Sequence, residues 1–193
     1  MKTIGLLCVL FCASCPLYAE IDLTPTETVR ELEGCKFPQL EFHDGGKKIT
    51  YEPPAGWRYV RAGQHALSLI PKNKALASAK IEYLAAPGPL VLDEQQLQHL
   101  KDSAPTFLPA ESSVLEEPTI SPNPLSLNGH ATCELDVLFL LHSERLHMSV
   151  LLVDLGDSQL RFSLTSQAAD FTELHKLFRQ SWFSWQWLDL HSS

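Results

Sequence analysis

The chain has 193 residues, a hydrophobic fraction of 45% and a formal net charge of −8. An acidic chain without a run of Lys or Arg lacks the electrostatic footprint of a nucleic-acid-binding protein, and it offers no basic patch for anionic lipid. No apolar run after the first residues reaches the length of a transmembrane helix, because charged residues interrupt the richest region.

Residues 1–19 have the order of a secretory signal peptide: Lys2, then an apolar segment, then Ala19 at the cleavage position. The apolar segment is too short to cross a bilayer. The alternative is a lipoprotein, because residues 13–15 resemble the box whose cysteine, here Cys15, is lipidated. Both interpretations predict an exported protein, periplasmic or secreted after cleavage near Ala19, or anchored through Cys15.

Removing the leader leaves 174 residues, which fits one domain with a sizeable core. Residues 20–39 are acidic and are interpreted as an N-terminal arm, with a possible short helix after Thr26. Residues 40–190 are predicted to form a single globular domain. Its first predicted elements are strands at 40–43, 48–51, 66–70 and 79–84, and a helix from Asp93 to Ala104 with Asp93 as its N-cap.

A meander follows the Asn128-Gly129 turn. Apolar residues alternate along 131–141, and a turn at residues 143–144 would set Leu135 opposite Leu152 and Phe139 opposite Met148. A third strand is predicted over 158–165. Both faces of this sheet are partly apolar, so both need a cover.

The closing segment is predicted to be a helix over about 167–182, followed by a short strand after Trp185. This helix and the Asp93 helix can each cover one face of the sheet. The expected fold class is therefore α+β, an α/β/α sandwich with a central antiparallel sheet covered by helices on both faces.

Residues 49–57, Ile-Thr-Tyr-Glu-Pro-Pro-Ala-Gly-Trp, resemble the entry motif of the PsbP-like superfamily. The later Asn-Gly turn, the meander and the closing helix with Phe171 and Phe178 are similar to the second half of the same group. The resemblance implies an α/β/α sandwich and a mostly non-catalytic role in holding or assembling other components. It supplies no catalytic motif to carry over.

Cys35 and Cys133 are the two cysteines outside the leader. In an oxidising compartment they are most simply paired in a disulfide. The alternative is two separate thiols, with Cys133 as a nucleophile beside a histidine.

Other chemistry has little support in the sequence. Eight histidines are present, but no H-x-H or H-E-x-x-H spacing predicts a metal site, and His175 is interpreted as solvated. No glycine loop or nucleophile elbow predicts a cofactor or catalytic residue. The aromatic residues near the C-terminus either pack in the core or form a partner surface. In the second case, Trp185 and Trp187 are the candidates.

Three functions remain open. The first is an exported non-enzymatic binding or scaffolding domain of the bacterial cell envelope, with a protein partner. The second is a carrier of a lipid or metabolite, using a cavity between the sheet and the Asp93 helix. The third is an unrecognised enzyme that uses Cys133.

Overall fold

The computed structural model describes residues 20–86 and 88–189. The predicted leader and its lipidation site at Cys15 lie outside these residues. The helices are α1 (Glu94–Asp102) and α2 (Ala168–Trp182), with a 3-10 segment at Ala104–Phe107. The strands are β1 (Ile21–Leu32), β2 (Cys35–Asp44), β3 (Lys47–Tyr51), β4 (Arg58–Arg61), β5 (Ala66–Ile70), β6 (Ser78–Ala85), β7 (Ser113–Val114), β8 (Thr119–Pro122), β9 (Thr132–Leu141), β10 (Glu144–Asp154), β11 (Ser158–Gln167) and β12 (Gln186–Asp189).

The strands form two antiparallel sheets. A four-stranded sheet has the order β1-β2-β3-β12, and an eight-stranded sheet has the order β4-β5-β6-β11-β10-β9-β7, with β8 also paired to β9. The predicted fold class was therefore wrong: strands dominate, and the molecule is not an α/β/α sandwich. The sequence-based interpretation missed β1, whose β-branched residues favour an extended chain over a helix.

The first core lies between the two sheets and under α2. Leu151, Leu160 and Phe162 of the large sheet are fully buried there. The four-stranded sheet contributes Ile21, Leu23, Leu40, Phe42, Ile49 and Tyr51, and α2 contributes Phe171, Leu174, Phe178 and Trp182. The four-stranded sheet, which was not predicted, thus covers this face of the large sheet together with α2.

The second core lies on the opposite face of the large sheet. Val137, Phe139 and Val150 are buried there, and Ala104 of the 3-10 segment packs on them together with the partly buried Phe107. The helix α1 buries none of its residues. This face of the large sheet therefore has a short, thin cover instead of the layer of helices that an α/β/α sandwich requires.

The register of the meander differs from the predicted one by two residues. Leu135 pairs with Val150, and Phe139 pairs with Leu146. The turn is made by His142 and Ser143, both with positive φ, and not by residues 143–144. A shift of two keeps each side chain on its predicted face, so the alternation was interpreted correctly.

Several local predictions are confirmed. Asp93 caps α1 and accepts a hydrogen bond from the Gln96 backbone N–H at 2.8 Å. The closing helix and the short last strand also form where the pattern indicates them. Within the described part of the chain, no helix is both long enough and apolar enough to span a membrane.

Candidate functional site

The outer part of the β1–β2 hairpin projects beyond the rest of its sheet. We call residues 26–41 the distal hairpin. β1 and β2 pair from Thr26↔Glu41 to Leu32↔Cys35, whereas β3 pairs with β2 only from Leu40 onward. The distal hairpin therefore consists of two strands for most of its length, an arrangement that is marginally stable alone in water.

Three large apolar side chains of the distal hairpin are exposed. Val29 is 60% exposed, Leu32 51% and Phe37 38%. The Arg30 guanidinium lies over the Phe37 ring, 5.3 Å from its centroid, and its Nε donates to Glu52 Oε1 at 2.5 Å. These contacts partly cover Phe37, whereas Val29 and Leu32 remain available to a partner.

The two edges of the distal hairpin differ. On β2, Pro38 has no N–H and therefore cannot complete a ladder with an added strand. On β1, Leu23 donates its N–H to Gln64 O at the base of the hairpin, and within the described residues the backbone from 26 to 32 bonds only to β2. The β1 edge is thus open for strand addition.

A second candidate is a polar cluster between the large sheet and α2. We call Glu134, Asp136, His147, His175 and Arg179 the carboxylate–histidine cluster. The two acids alternate on β9 and so face the same side, and the histidine and arginine of α2 are four residues apart on one helix face. His147 comes from the adjacent strand β10.

Glu134 is the buried centre of this cluster, with its side chain 3% exposed. His175 Nε2 lies 2.8 Å from Glu134 Oε1, and Arg179 Nη1 lies 3.3 Å from Oε2. Ser149 Oγ also donates to Oε1, at 3.0 Å. Both oxygens of this carboxylate therefore have partners.

Asp136 is in a different situation. Its Oδ1 is buried and has no hydrogen-bond partner, and His147 Nε2 lies 3.8 Å away. The ligand atoms of Glu134, Asp136 and His175 all lie within 4.8 Å of one another. The arrangement brings two carboxylates and two imidazoles together in a small, partly accessible space.

Burial and neighbouring charge move the pKa values of the two acids in opposite directions. Burial opposes ionisation of Glu134, but the hydrogen bond from His175, the electrostatic attraction of His175 and Arg179 and the hydrogen bond from Ser149 outweigh it, so the pKa of Glu134 is lowered. Burial raises the pKa of Asp136, and the Glu134 charge adds to the effect. Burial lowers the pKa of His147, and nearby His175 lowers it further.

The sequence analysis missed this cluster. His175 was interpreted as a solvated histidine, yet its side chain is only 17% exposed and contacts buried Glu134. The available signal was the pair of acids alternating within an otherwise apolar strand, Glu134 and Asp136. Since His175 and Arg179 come from a helix about 40 residues later, spacing along the chain could not reveal the group.

The predicted Cys35–Cys133 disulfide is not present in this structure, where both thiols are free. Cys35 is exposed at the end of the distal hairpin, and Cys133 is buried in β9 of the other sheet. Burial raises the pKa of Cys133 to about 11, and the adjacent Glu134 charge adds to this. A thiol held protonated is a poor nucleophile.

Trp185 does not lie on a partner surface, because it is 1% exposed. Its ring stacks on Phe42, with the centroids 5.6 Å apart, and Asn128 Nδ2 donates to its carbonyl at 2.8 Å. Trp187 is partly buried and packs edge-on against Trp185 and near His130. The large ring of Trp185 fills the core at the point where the short last strand returns to the first sheet.

The predicted carrier cavity beneath α1 receives no support from the described residues. A shallow, open depression lies on α1, lined by Asp93, Glu94, Gln95, Gln98, His99 and Asp102. All six residues come from the helix and its cap, and all are polar. Such a surface does not enclose an apolar ligand.

No protein-family model matches the chain, and no curated protein matches it. Solved structures similar to it include a cyanobacterial PsbP from Synechocystis sp. PCC 6803, with 12% identity and a TM-score of 0.48 over 77% of this chain and 91% of that chain. A protein of unknown function from Pseudomonas aeruginosa has 16% identity and a TM-score of 0.44 over 81% of this chain and 94% of that one. A Bacteroides thetaiotaomicron VPI-5482 structure has 9% identity and a TM-score of 0.44 over 69% of this chain, which spans 43% of that chain's length.

Proposed function

We propose that this chain is a non-enzymatic binding domain of the bacterial cell envelope, and that the distal hairpin docks on a protein partner. The observation that carries the proposal is the open β1 edge beside the exposed Val29 and Leu32. Added backbone hydrogen bonds would give affinity, and the apolar side chains would give selectivity.

The partner we propose is an extended segment of another protein, which adds as a strand to β1. Pro38 makes the β2 edge unsuitable, so the β1 edge from 26 to 32 is the acceptor. A third strand would also stabilise a hairpin that is otherwise two-stranded.

Export is the remaining part of the proposal. The order of residues 1–19 supports a cleaved signal peptide, with lipidation at Cys15 as the alternative. The residues 49–57 that resemble the PsbP-like entry motif support a role in assembly rather than catalysis. The protonated, buried thiol of Cys133 argues against the nucleophile alternative.

Site-specific photo-crosslinking tests the docking surface. A photoreactive residue replaces Leu32 on the distal hairpin or, as a matched control, Val60 on β4, which is 49% exposed against 51% for Leu32. In an envelope extract of the native host, we expect one defined protein to crosslink at position 32 and not at position 60. The additional change Val29→Lys is expected to abolish that product.

Equal products at both positions, or none at position 32, would overturn the docking surface. Intact-mass analysis of the same protein from its host tests the export step separately. It reports either a mature chain beginning after Ala19 or an acylated Cys15, and a retained Met1 would contradict export.

A further inference from the structure

The carboxylate–histidine cluster has a different chemical character from the distal hairpin, and the proposed docking function makes no use of it. Three donor atoms, from Glu134, Asp136 and His175, lie within 4.8 Å of one another. An ion pair with Arg179 and a hydrogen bond from His175 would explain Glu134. They do not explain why a second carboxylate is placed beside it.

The independent observation is the orphaned oxygen of Asp136. A buried carboxylate oxygen without a hydrogen-bond partner is costly, and native structures rarely retain one without a reason. A bound cation would satisfy this oxygen and would remove the repulsion between the two acids.

The distances fit a small transition-metal ion. Two ligand atoms on one tetrahedral zinc lie about 3.3 Å apart when each bond is near 2.0–2.1 Å. The His175 Nε2 to Glu134 Oε1 distance of 2.8 Å and the His147 Nε2 to Asp136 Oδ1 distance of 3.8 Å lie on either side of that value. The ligand atoms of Glu134, Asp136 and His175 lie within 4.8 Å of one another, so they would have to approach by up to about 1.5 Å to share one ion.

The imidazoles are suitably held. His147 stacks on Phe171 with the ring centroids 3.6 Å apart, and His175 stacks on the same ring at 5.0 Å. His147 and Asp136 are 28% and 26% exposed, so an ion can enter from solvent.

Arg179 reduces the negative charge of the site without occupying the position of the ion. Its guanidinium contacts Glu134 Oε2, the oxygen that His175 does not contact. It can remain there as an outer partner that orients the ligating carboxylate. Two carboxylates and one guanidinium leave a net charge of −1 facing the ion.

We propose that Glu134, Asp136 and His175 form a binding site for a divalent transition metal of the Zn²⁺ class, with His147 at its edge, 3.8 Å from Asp136 Oδ1. An imidazole beside two carboxylates favours Zn²⁺ over Mg²⁺ and Ca²⁺, which select all-oxygen ligands. The ion would tie α2 to β9.

Zn²⁺ titration of the tag-free full chain, after treatment with a chelator, tests this site by calorimetry. We expect one Zn²⁺ per chain and no comparable binding of Mg²⁺. Asp136→Asn and His175→Gln should weaken Zn²⁺ binding at least about tenfold. His43→Gln, at an exposed histidine of the other sheet, is the matched control and should bind as the original chain does.

Co²⁺ supplies a second readout, because tetrahedral nitrogen and oxygen ligation gives it a strong visible absorption that solvated Co²⁺ lacks. If His175→Gln fails to fold, the Asp136→Asn variant decides, since it removes an oxygen that has no protein partner. Absence of stoichiometric Zn²⁺ binding, or equal binding by Asp136→Asn and the original chain, would overturn the proposal. Equal loss in His43→Gln would overturn the assignment to this cluster.

Discussion

Two groups of charged side chains are buried on opposite faces of the eight-stranded sheet, and they are satisfied to different degrees. Glu82 on β6 is 8% exposed and bonds to Arg161 of β11, whose Nε donates at 2.9 Å, and to Lys80 at 2.5 Å. The carboxylate–histidine cluster on the other face contains Glu134, which is fully partnered, and Asp136, whose Oδ1 is not.

The difference separates a structural ion pair from a candidate binding site. In the Glu82 group one carboxylate faces two cations, and Arg161 is also held over the Phe107 ring. Such a group needs nothing from outside. The carboxylate–histidine cluster keeps one buried carboxylate oxygen, Asp136 Oδ1, without a protein partner, and such an oxygen calls for an explanation.

Among the substitutions considered, Glu134→Gln is expected to change the free energy of unfolding most. This change removes the buried charge that both His175 and Arg179 contact, and we expect the free energy of unfolding at pH 7 to fall by about 2–3 kcal/mol. Chemical denaturation of the metal-free protein measures it. A loss below about 0.5 kcal/mol would mean that the cluster contributes little to holding α2 on the sheet.

The pH dependence of this variant has a definite sign. Because the folded pKa of Glu134 is lowered, its charge stabilises the fold fully above the ordinary glutamate pKa of 4.5, and the stabilisation is lost as the pH falls through the folded value. The stability difference between the original chain and Glu134→Gln should therefore be constant near neutral pH and shrink in acid. A difference that grows in acid would contradict this assignment.

A smaller effect is expected for Glu82→Gln, because Arg161 and Lys80 can turn toward solvent. We expect a loss of about 1–2 kcal/mol, with Zn²⁺ binding unchanged. Denaturation and calorimetry on the same preparation measure both quantities. Loss of Zn²⁺ binding in this variant would show that the two groups are not independent.

Asp136→Asn should act in the opposite direction. The substitution replaces a partly buried carboxylate, whose Oδ1 has no hydrogen-bond partner, by a neutral amide of the same shape, so the metal-free protein should gain about 1 kcal/mol at pH 7. Since burial raises the folded pKa of Asp136, its penalty is absent below the ordinary aspartate pKa of 3.8 and grows as the pH rises through the folded value. The gain should thus vanish in acid, and destabilisation at pH 7 would contradict the account.

The smallest effect is expected for Val29→Lys on the distal hairpin, which belongs to the other sheet. Val29 is 60% exposed, so the unfolding free energy should change by no more than about 0.5 kcal/mol. Thermal or chemical denaturation checks this. A larger loss would mean that the side chain packs within the protein and is not free for a partner.

The meander illustrates what the sequence could predict. Alternation assigned residues such as Val137 and Val150 to one buried face, because a strand has a side-chain period of two. The predicted pairing was wrong by two residues, because the turn is made by His142 and Ser143, both at positive φ. Positive φ at both turn positions is usually signalled by an Asn-Gly pair, and this sequence has none there.

The larger errors come from tertiary contacts. The strand β1 depends on pairing with β2 and on the burial of Ile21 and Leu23, and neither is visible in residues 20–39 alone. The carboxylate–histidine cluster likewise forms only when α2 packs on β9. Residues that looked solvated, His175 above all, are then brought to a buried acid.

The most direct test of this comparison is to measure the pKa of the Asp136 carboxyl. Carbon-13 NMR of the side chain reports it in a pH titration, run with and without Zn²⁺. The account predicts a pKa above the ordinary aspartate value of 3.8 in the metal-free protein and a clear fall when Zn²⁺ is added. An unshifted or lowered pKa without metal, or a value that Zn²⁺ does not change, would contradict it.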